Sequence, residues 1–88
     1  MFKIGSVVKS LTGRDKNKLM IVVDVSGKGV LVCDGKERPL ERPKLKNPKH
    51  LERTEFSLNI ITVATNRALR KALTAIETEC TAIPKGGF

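Results

Sequence analysis

Cationic side chains recur at every second position in one short loop of the chain. The loop reads GRDKNK from Gly13 to Lys18, so that Arg14, Lys16 and Lys18 are separated by Asp15 and Asn17. Alternate side chains of an extended segment point the same way, so several cations can face one ligand. Phosphates require charge at this kind of spacing, and backbone N–H groups near Gly13 would add neutral donors. The loop is therefore a candidate phosphate-binding site, and the alternative is a solvated basic turn.

A second group of cations lies in the proline-rich segment from 36 to 50. Its prolines restrict the chain and so keep the cost of ordering it low. We expect its cations to share the ligand of the loop, although charged runs often serve only solubility. The full candidate set is Lys9, Gly13, Arg14, Lys16, Asn17, Lys18, Arg38, Arg42, Lys44, Lys46 and Lys49.

The charge of the whole chain also favours a polyanionic partner. Its 88 residues include 17 Lys and Arg against 9 Asp and Glu, which gives a net charge of +8. Residues 1–53 hold 13 basic and 6 acidic side chains, whereas residues 54–88 hold 4 and 3. The first part is therefore expected to bind the anion.

Aromatic content indicates how a nucleic acid, one class of polyanion, would be bound at such a site. The chain has no Trp, no Tyr and three Phe, of which Phe56 is expected to be buried. Proteins that read splayed bases stack them on exposed aromatic rings. If the polyanion is RNA, this chain is expected to bind it in folded or double-stranded form, by its backbone.

No group of residues predicts catalysis, a cofactor or a metal site. His50 is the single histidine, the carboxylates are scattered among cations, and Cys33 and Cys80 have no CxxC spacing. The SGKG stretch lacks the Walker spacing of a nucleotide-binding loop. We expect a non-enzymatic protein with no cofactor, no metal and no small-molecule substrate.

The N-terminus carries no signal-peptide pattern, and no apolar run approaches the length of a membrane span. The two cysteines are expected to be buried or half-buried thiols, which fits a reducing compartment. The expected location is the cytoplasm, with no membrane partner.

The elements that must position the candidate site are mostly β-strands. Tight turns and β-branched runs predict five short strands, with Leu19–Val25 central and covered on both faces. Gly5 is expected to allow a bulge or close backbone contact, and Gly13 and Asn17 a positive φ. Five strands in about 50 residues favour a small bent barrel over an open sheet. The predicted strands are one from Phe2 to about Ser10, Leu19–Val25, Val30–Cys33, one around Leu40 and His50–Glu52.

The chain changes character after residue 53. Apolar residues from Phe56 to Val63 alternate and predict one more extended segment. A helix over about 66–79, capped by Thr65 or Asn66, follows. Its apolar stripe, which is expected to dock on the barrel, contains Leu69, Ala72, Leu73 and Ile76. Residues 1–53 would thus form the barrel and 54–88 the extended segment, the helix and a frayed tail at 83–88.

Gly5, Val8 and Gly13, followed by the basic loop and by Val22, Val23 and Val25, resemble a KOW motif. That motif is shared by several ribosomal proteins and NusG-type elongation factors. About two-thirds of the chain is similar to the archaeal and eukaryotic-type large-subunit ribosomal protein of the fourteen-e class, at KLMIVVDV, VLVCDG and HLERT. The resemblance implies an SH3-like barrel of about five strands, structured RNA such as rRNA as the partner, and a role in translation.

Two residues depart from the KOW pattern. Asn17 stands where many KOW loops have glycine, and Asn adopts the left-handed region more readily than other non-glycine residues. Met20 stands where bacterial ribosomal KOW proteins have a further glycine, which argues against close RNA approach there.

Two further interpretations remain open on sequence alone. Arg67, Arg70 and Lys71 crowd one part of the helix, so this face is either a second contact surface or simply solvated. The whole protein could alternatively be a protein-interaction module of a transcription or ribosome-assembly complex, docking through the barrel or through Leu69, Leu73 and Ile76.

Overall fold

The structure, a computed structural model, describes residues 2–14 and 16–82, with helix side chains described as far as Thr78. It contains a five-stranded antiparallel sheet and one C-terminal α-helix, as the sequence predicts. The frayed tail predicted at 83–88 lies outside the described residues. The elements in chain order are β1 (Ser6–Ser10), β2 (Leu19–Ser26), β3 (Gly29–Cys33), β4 (Lys44–Lys46), a 3-10 turn (Pro48–His50), β5 (Leu51–Ser57) and α1 (Asn66–Ala82).

The sheet is ordered β4-β3-β2-β1-β5, so β2 is its central strand, as predicted. Met20 and Val22 of β2 lie in a cluster on one face, with residues of β1, β3 and β5. Ile21 points to the other face and packs in a second cluster beneath the helix. The alternation of a β-strand thus buries the first half of β2 on both faces of the sheet.

The helix covers one face of the sheet with its predicted apolar stripe. Leu69, Leu73 and Ile76 are buried in one cluster with residues of the first three strands, and Ala72 packs against them. The Thr65 hydroxyl caps α1 by accepting a hydrogen bond of 3.1 Å from the Ala68 N–H. The apolar stripe is therefore part of the chain's own core.

Gly5 makes the close backbone contact expected at the start of β1. Its φ is +94°, and a side chain there would collide with the carbonyl oxygen of Leu58. The Leu58 N–H donates to the Gly5 carbonyl over 2.7 Å, which ties the end of β5 to the start of β1.

The positions of two predicted strands are wrong. The edge strand lies at Lys44–Lys46, because Leu40 falls in a turn closed by the Arg42 N–H and the Pro39 carbonyl. The last strand is longer than His50–Glu52 and continues to Ser57. Consequently the boundary placed between residues 53 and 54 cuts through β5.

The extended segment predicted from Phe56 to Val63 forms only as far as Ser57. Asn59 then folds the chain into a turn, since its side chain accepts from the Ile61 N–H and its carbonyl accepts from the Thr62 N–H. Asn commonly starts turns in this way, and this local bonding outweighs the apolar alternation.

Candidate nucleic-acid interface

The sheet topology brings the two basic segments to the same end of the molecule. In an antiparallel meander, every second connection lies at the same end of the sheet. The β1–β2 loop (11–18) and the segment after β3 (34–43) are two such connections. Their side chains meet where Lys18 Nζ lies 2.9 Å from Glu37 Oε1. We call this end, formed by residues 11–14, 16–18 and 34–44, the basic end.

The β1–β2 loop is held in a defined shape by its own backbone. Gly13 and Asn17 both have positive φ, of 83° and 71°, which confirms that prediction. The Asn17 N–H donates to the Ser10 carbonyl over 2.7 Å, and the Ser10 N–H donates to the Lys18 carbonyl over 3.0 Å. The cations on this loop therefore start from fixed backbone positions.

Arg14, Arg38 and Lys44 line one cleft of ≈ 390 Å³ at the basic end, together with Asp34 and Glu37. We call it the basic cleft. Its three cations come from the loop, from the turn after β3 and from the first residue of β4. The two groups of cations that are distant in sequence thus converge on one surface.

Asp34 folds the turn that presents Arg38. Its Oδ1 accepts hydrogen bonds from the backbone N–H groups of Lys36 and Arg38, each over 2.9 Å. The N–H groups of Asp34 and Gly35 in turn donate to the Arg38 carbonyl over 3.0 and 3.1 Å. Because this carboxylate bonds to backbone donors, part of its negative charge is offset within the turn.

The ion pair of Lys18 and Glu37 crosses between the loop and this turn. The side chains are 45% and 60% exposed. The hydrogen bond from Lys18, followed by its positive charge, lowers the pKa of the Glu37 carboxyl. Glu37 is consequently ionised at neutral pH and offsets the charge of Lys18 at the surface.

The sequence predicts Lys46 among the contact residues, but the residue is only 7% exposed. Strand alternation turns it inward and leaves its neighbour Leu45 49% exposed. Lys46 Nζ donates to the Ser10 hydroxyl over 2.6 Å and to the Thr12 carbonyl over 3.0 Å. Its position is that of a residue joining β4 to the base of the loop, not of a surface contact.

The remaining candidates do not line the basic cleft. Lys9 is half-buried on β1, and Lys16 and Arg42 are exposed in their turns. Lys49 lies on the 3-10 turn, which contacts the start of the loop because the Leu11 N–H donates to the His50 carbonyl over 2.9 Å.

Sequence reasoning missed a second depression, of ≈ 200 Å³, between the basic end and the helix. We call it the helix-side depression. Its cations are Lys18, Lys36 and Arg70, and Lys36 was absent from the candidate set. The Asp34-Gly35 turn signal places Lys36 at the basic end, but only the packing of the helix brings Arg70 there. Its other lining residues are Leu19, Asp34, Leu73, Thr74 and Glu77.

Cys33 is fully buried in the cluster beneath the helix. Burial, with smaller contributions from the charges of Asp34 and Glu41, raises the pKa of its thiol to about 11. It is therefore protonated at neutral pH, whereas a reactive cysteine needs its thiolate. Over residues 2–14 and 16–78, whose side chains the structure describes, no set of three or more His, Cys, Asp or Glu is arranged to hold a metal ion.

Within the described part of the chain, no helix is both long and apolar enough to span a membrane. A scan of the sequence against models of known protein families finds no match.

Proposed function

We propose that this protein binds structured RNA, most simply ribosomal RNA, through backbone phosphates at its basic end and without catalysing a reaction. The observation that carries the proposal is the convergence of Arg14, Arg38 and Lys44 on the basic cleft. Two guanidinium groups and one ammonium suit phosphate oxygens, because arginine can donate two parallel hydrogen bonds to them. The net charge of +8 would speed association with a polyanion.

The few aromatic side chains favour structured RNA over splayed single strands. Among the described residues, Phe2 and Phe56 are only partly exposed. Phe56 packs against the cluster beneath the helix, and the Arg53 guanidinium lies 5.4 Å from the centre of the Phe2 ring. Recognition would therefore depend on phosphates and on the shape of the RNA.

The proposal also covers the type of fold, the cellular role of the protein and its location. A five-stranded sheet with buried clusters on both faces is compatible with an SH3-like barrel of the KOW kind. On that basis we propose a ribosomal or ribosome-associated role in the cytoplasm. The positive φ at Gly13 and Asn17 supports the KOW interpretation, since these are positions at which KOW loops often have glycine.

One version of the alternative function is not supported. A protein-interaction module that docks through Leu69, Leu73 and Ile76 needs that stripe exposed, and all three residues are at least nine-tenths buried. Docking through another part of the barrel would need a different surface.

The test compares two triple variants with the same change in net charge. The cleft variant R14Q/R38Q/K44Q removes the cations of the basic cleft, and the control K28Q/R67Q/K71Q removes three cations that do not line it. Binding to an RNA hairpin is measured by fluorescence anisotropy. We expect the cleft variant to bind at least about tenfold more weakly than the control. Equal affinities of the two variants would contradict the proposal.

A further inference from the structure

Arg70 is the helix cation that reaches the basic end. It lines the helix-side depression with Lys18 and Lys36, whereas Arg67 and Lys71 are not among the described residues that line it. Arg70 is exposed, and so are the other two cations of the helix, Arg67 and Lys71. The helix therefore offers three exposed cations, of which one is directed toward the basic segments.

Tight packing fixes the helix against the turn that carries Lys36. A β-carbon at Gly35 would lie 2.5 Å from the Asn66 carbonyl oxygen and 3.2 Å from the backbone nitrogen of Arg70. Asn66 also ties the two together, since its Oδ1 accepts from the Leu40 N–H over 2.6 Å and its Nδ2 donates to Glu41 over 2.8 Å. The position of Arg70 beside Lys36 is thus set by backbone contacts.

The basic cleft and the helix-side depression are neighbours. Asp34 lines both, and the Lys18–Glu37 pair joins them, because Lys18 lines one and Glu37 the other. Among the described residues, together they present six cations and three carboxylates, those of Asp34, Glu37 and Glu77. An anion with several charged groups can therefore lie across both.

We infer that the helix-side depression is a second phosphate subsite, in which Arg70 and Lys36 hold a backbone phosphate of the same RNA that occupies the basic cleft. This inference rests on the proposed function and adds the helix to the interface. The RNA backbone crosses the Lys18–Glu37 pair, and Lys18 can turn from Glu37 to a phosphate as it does so. The acidic residues make the subsite weak for isolated anions and favour a ligand anchored in the cleft.

The test uses single variants of the full chain and an RNA hairpin. R70Q and K36Q remove cations of the depression, while R67Q and K71Q remove equal charge from other positions on the same helix. We expect R70Q and K36Q each to weaken binding about three- to tenfold, and the two controls to change it less than about twofold. Thermal unfolding of each variant shows whether the fold is retained, as expected for exposed side chains.

Two results would overturn the inference, and they differ in what they say of the proposed function. If R70Q and R67Q have equal affinities while the cleft variant R14Q/R38Q/K44Q binds poorly, the helix-side subsite is wrong and the cleft stands. If the unsubstituted protein does not bind the hairpin, both proposals fail.

Discussion

Glu37 places a carboxylate among the cations that we propose bind phosphate. Its Oε1 lies 2.9 Å from Lys18 Nζ, and it also lines the basic cleft. An exposed pair of this kind contributes little to stability because water and salt screen it. The main consequence of Glu37 is that its negative charge repels an incoming anion and holds Lys18 in an ion pair.

Replacing Glu37 by Gln should therefore increase RNA affinity. The change removes one negative charge from the cleft and weakens the attraction between residue 37 and Lys18, so we expect binding about two- to fivefold tighter at low salt. E55Q is the matched control, since Glu55 is exposed on β5 and changes the net charge equally. The idea fails if E37Q binds no better than E55Q in the same anisotropy titration.

Lys46 illustrates how one basic residue of a charged run differs from its neighbours. Truncating it to Ala removes its hydrogen bonds to the Ser10 hydroxyl and the Thr12 carbonyl and leaves unfilled space. We expect K46A to lower the free energy of unfolding by about 2 kcal/mol, measured by urea denaturation.

The control for K46A is K49A, because Lys49 is exposed on the 3-10 turn. An exposed truncation should change the free energy of unfolding by less than about 0.5 kcal/mol. Similar urea midpoints for K46A and K49A would show that the hydrogen bonds of Lys46 do not stabilise the protein.

At the scale of elements, the contact between the turn after β3 and the helix organises both proposed subsites. Gly35 has φ +80° and packs against the first turn of α1. A side chain at Gly35 would be unfavourable for two reasons. A β-carbon is strained at that φ, and it would collide with the Asn66 carbonyl oxygen.

G35A should therefore be destabilising. We expect the free energy of unfolding to fall by about 1–3 kcal/mol, because the strain at positive φ adds to a shift of the helix. G27A is the control, since a β-carbon at Gly27 would meet nothing within 4 Å. Equal stability of the two variants in urea denaturation would contradict this description of the turn.

Local signals in the sequence predict the central strand, the flexible residues of the loop and the helix stripe. These features depend on apolar periodicity and on residues that favour particular backbone angles. The sequence pattern does not predict the turn at Asn59. Alternating apolar residues are compatible with an extended segment, and they are equally compatible with a turn whose apolar residues pack inward. Phe56 and Ile60 both pack against the cluster beneath the helix.

The site could be predicted only in part. That the two basic segments share one end follows from an antiparallel meander and needs no coordinates. The burial of Lys46 depends on the register Val30↔Lys46, and the approach of Arg70 depends on Gly35, so neither can be read from charge alone. A run of lysines and arginines looks uniform in sequence, whereas packing divides it into surface and interior.

For the whole molecule, the proposed function depends on cations that lie together at one end of a small sheet. Cations that neutralise phosphates release counterions, so the affinity of such a protein falls steeply with salt. The slope of log affinity against log salt concentration therefore reports how many cations bind RNA phosphates. A substitution that removes one of these cations should make the slope shallower.

The most direct test of the central claim is the salt dependence of binding to an RNA hairpin, measured for the unsubstituted protein and for R14Q/R38Q/K44Q. We predict that log affinity falls linearly with log salt, with a slope of about −0.7 to −0.9 for each phosphate neutralised. The slope of the cleft variant should be shallower by about 2, because three cations are lost. A flat response, or equal slopes for the two proteins, would contradict phosphate binding at the basic cleft.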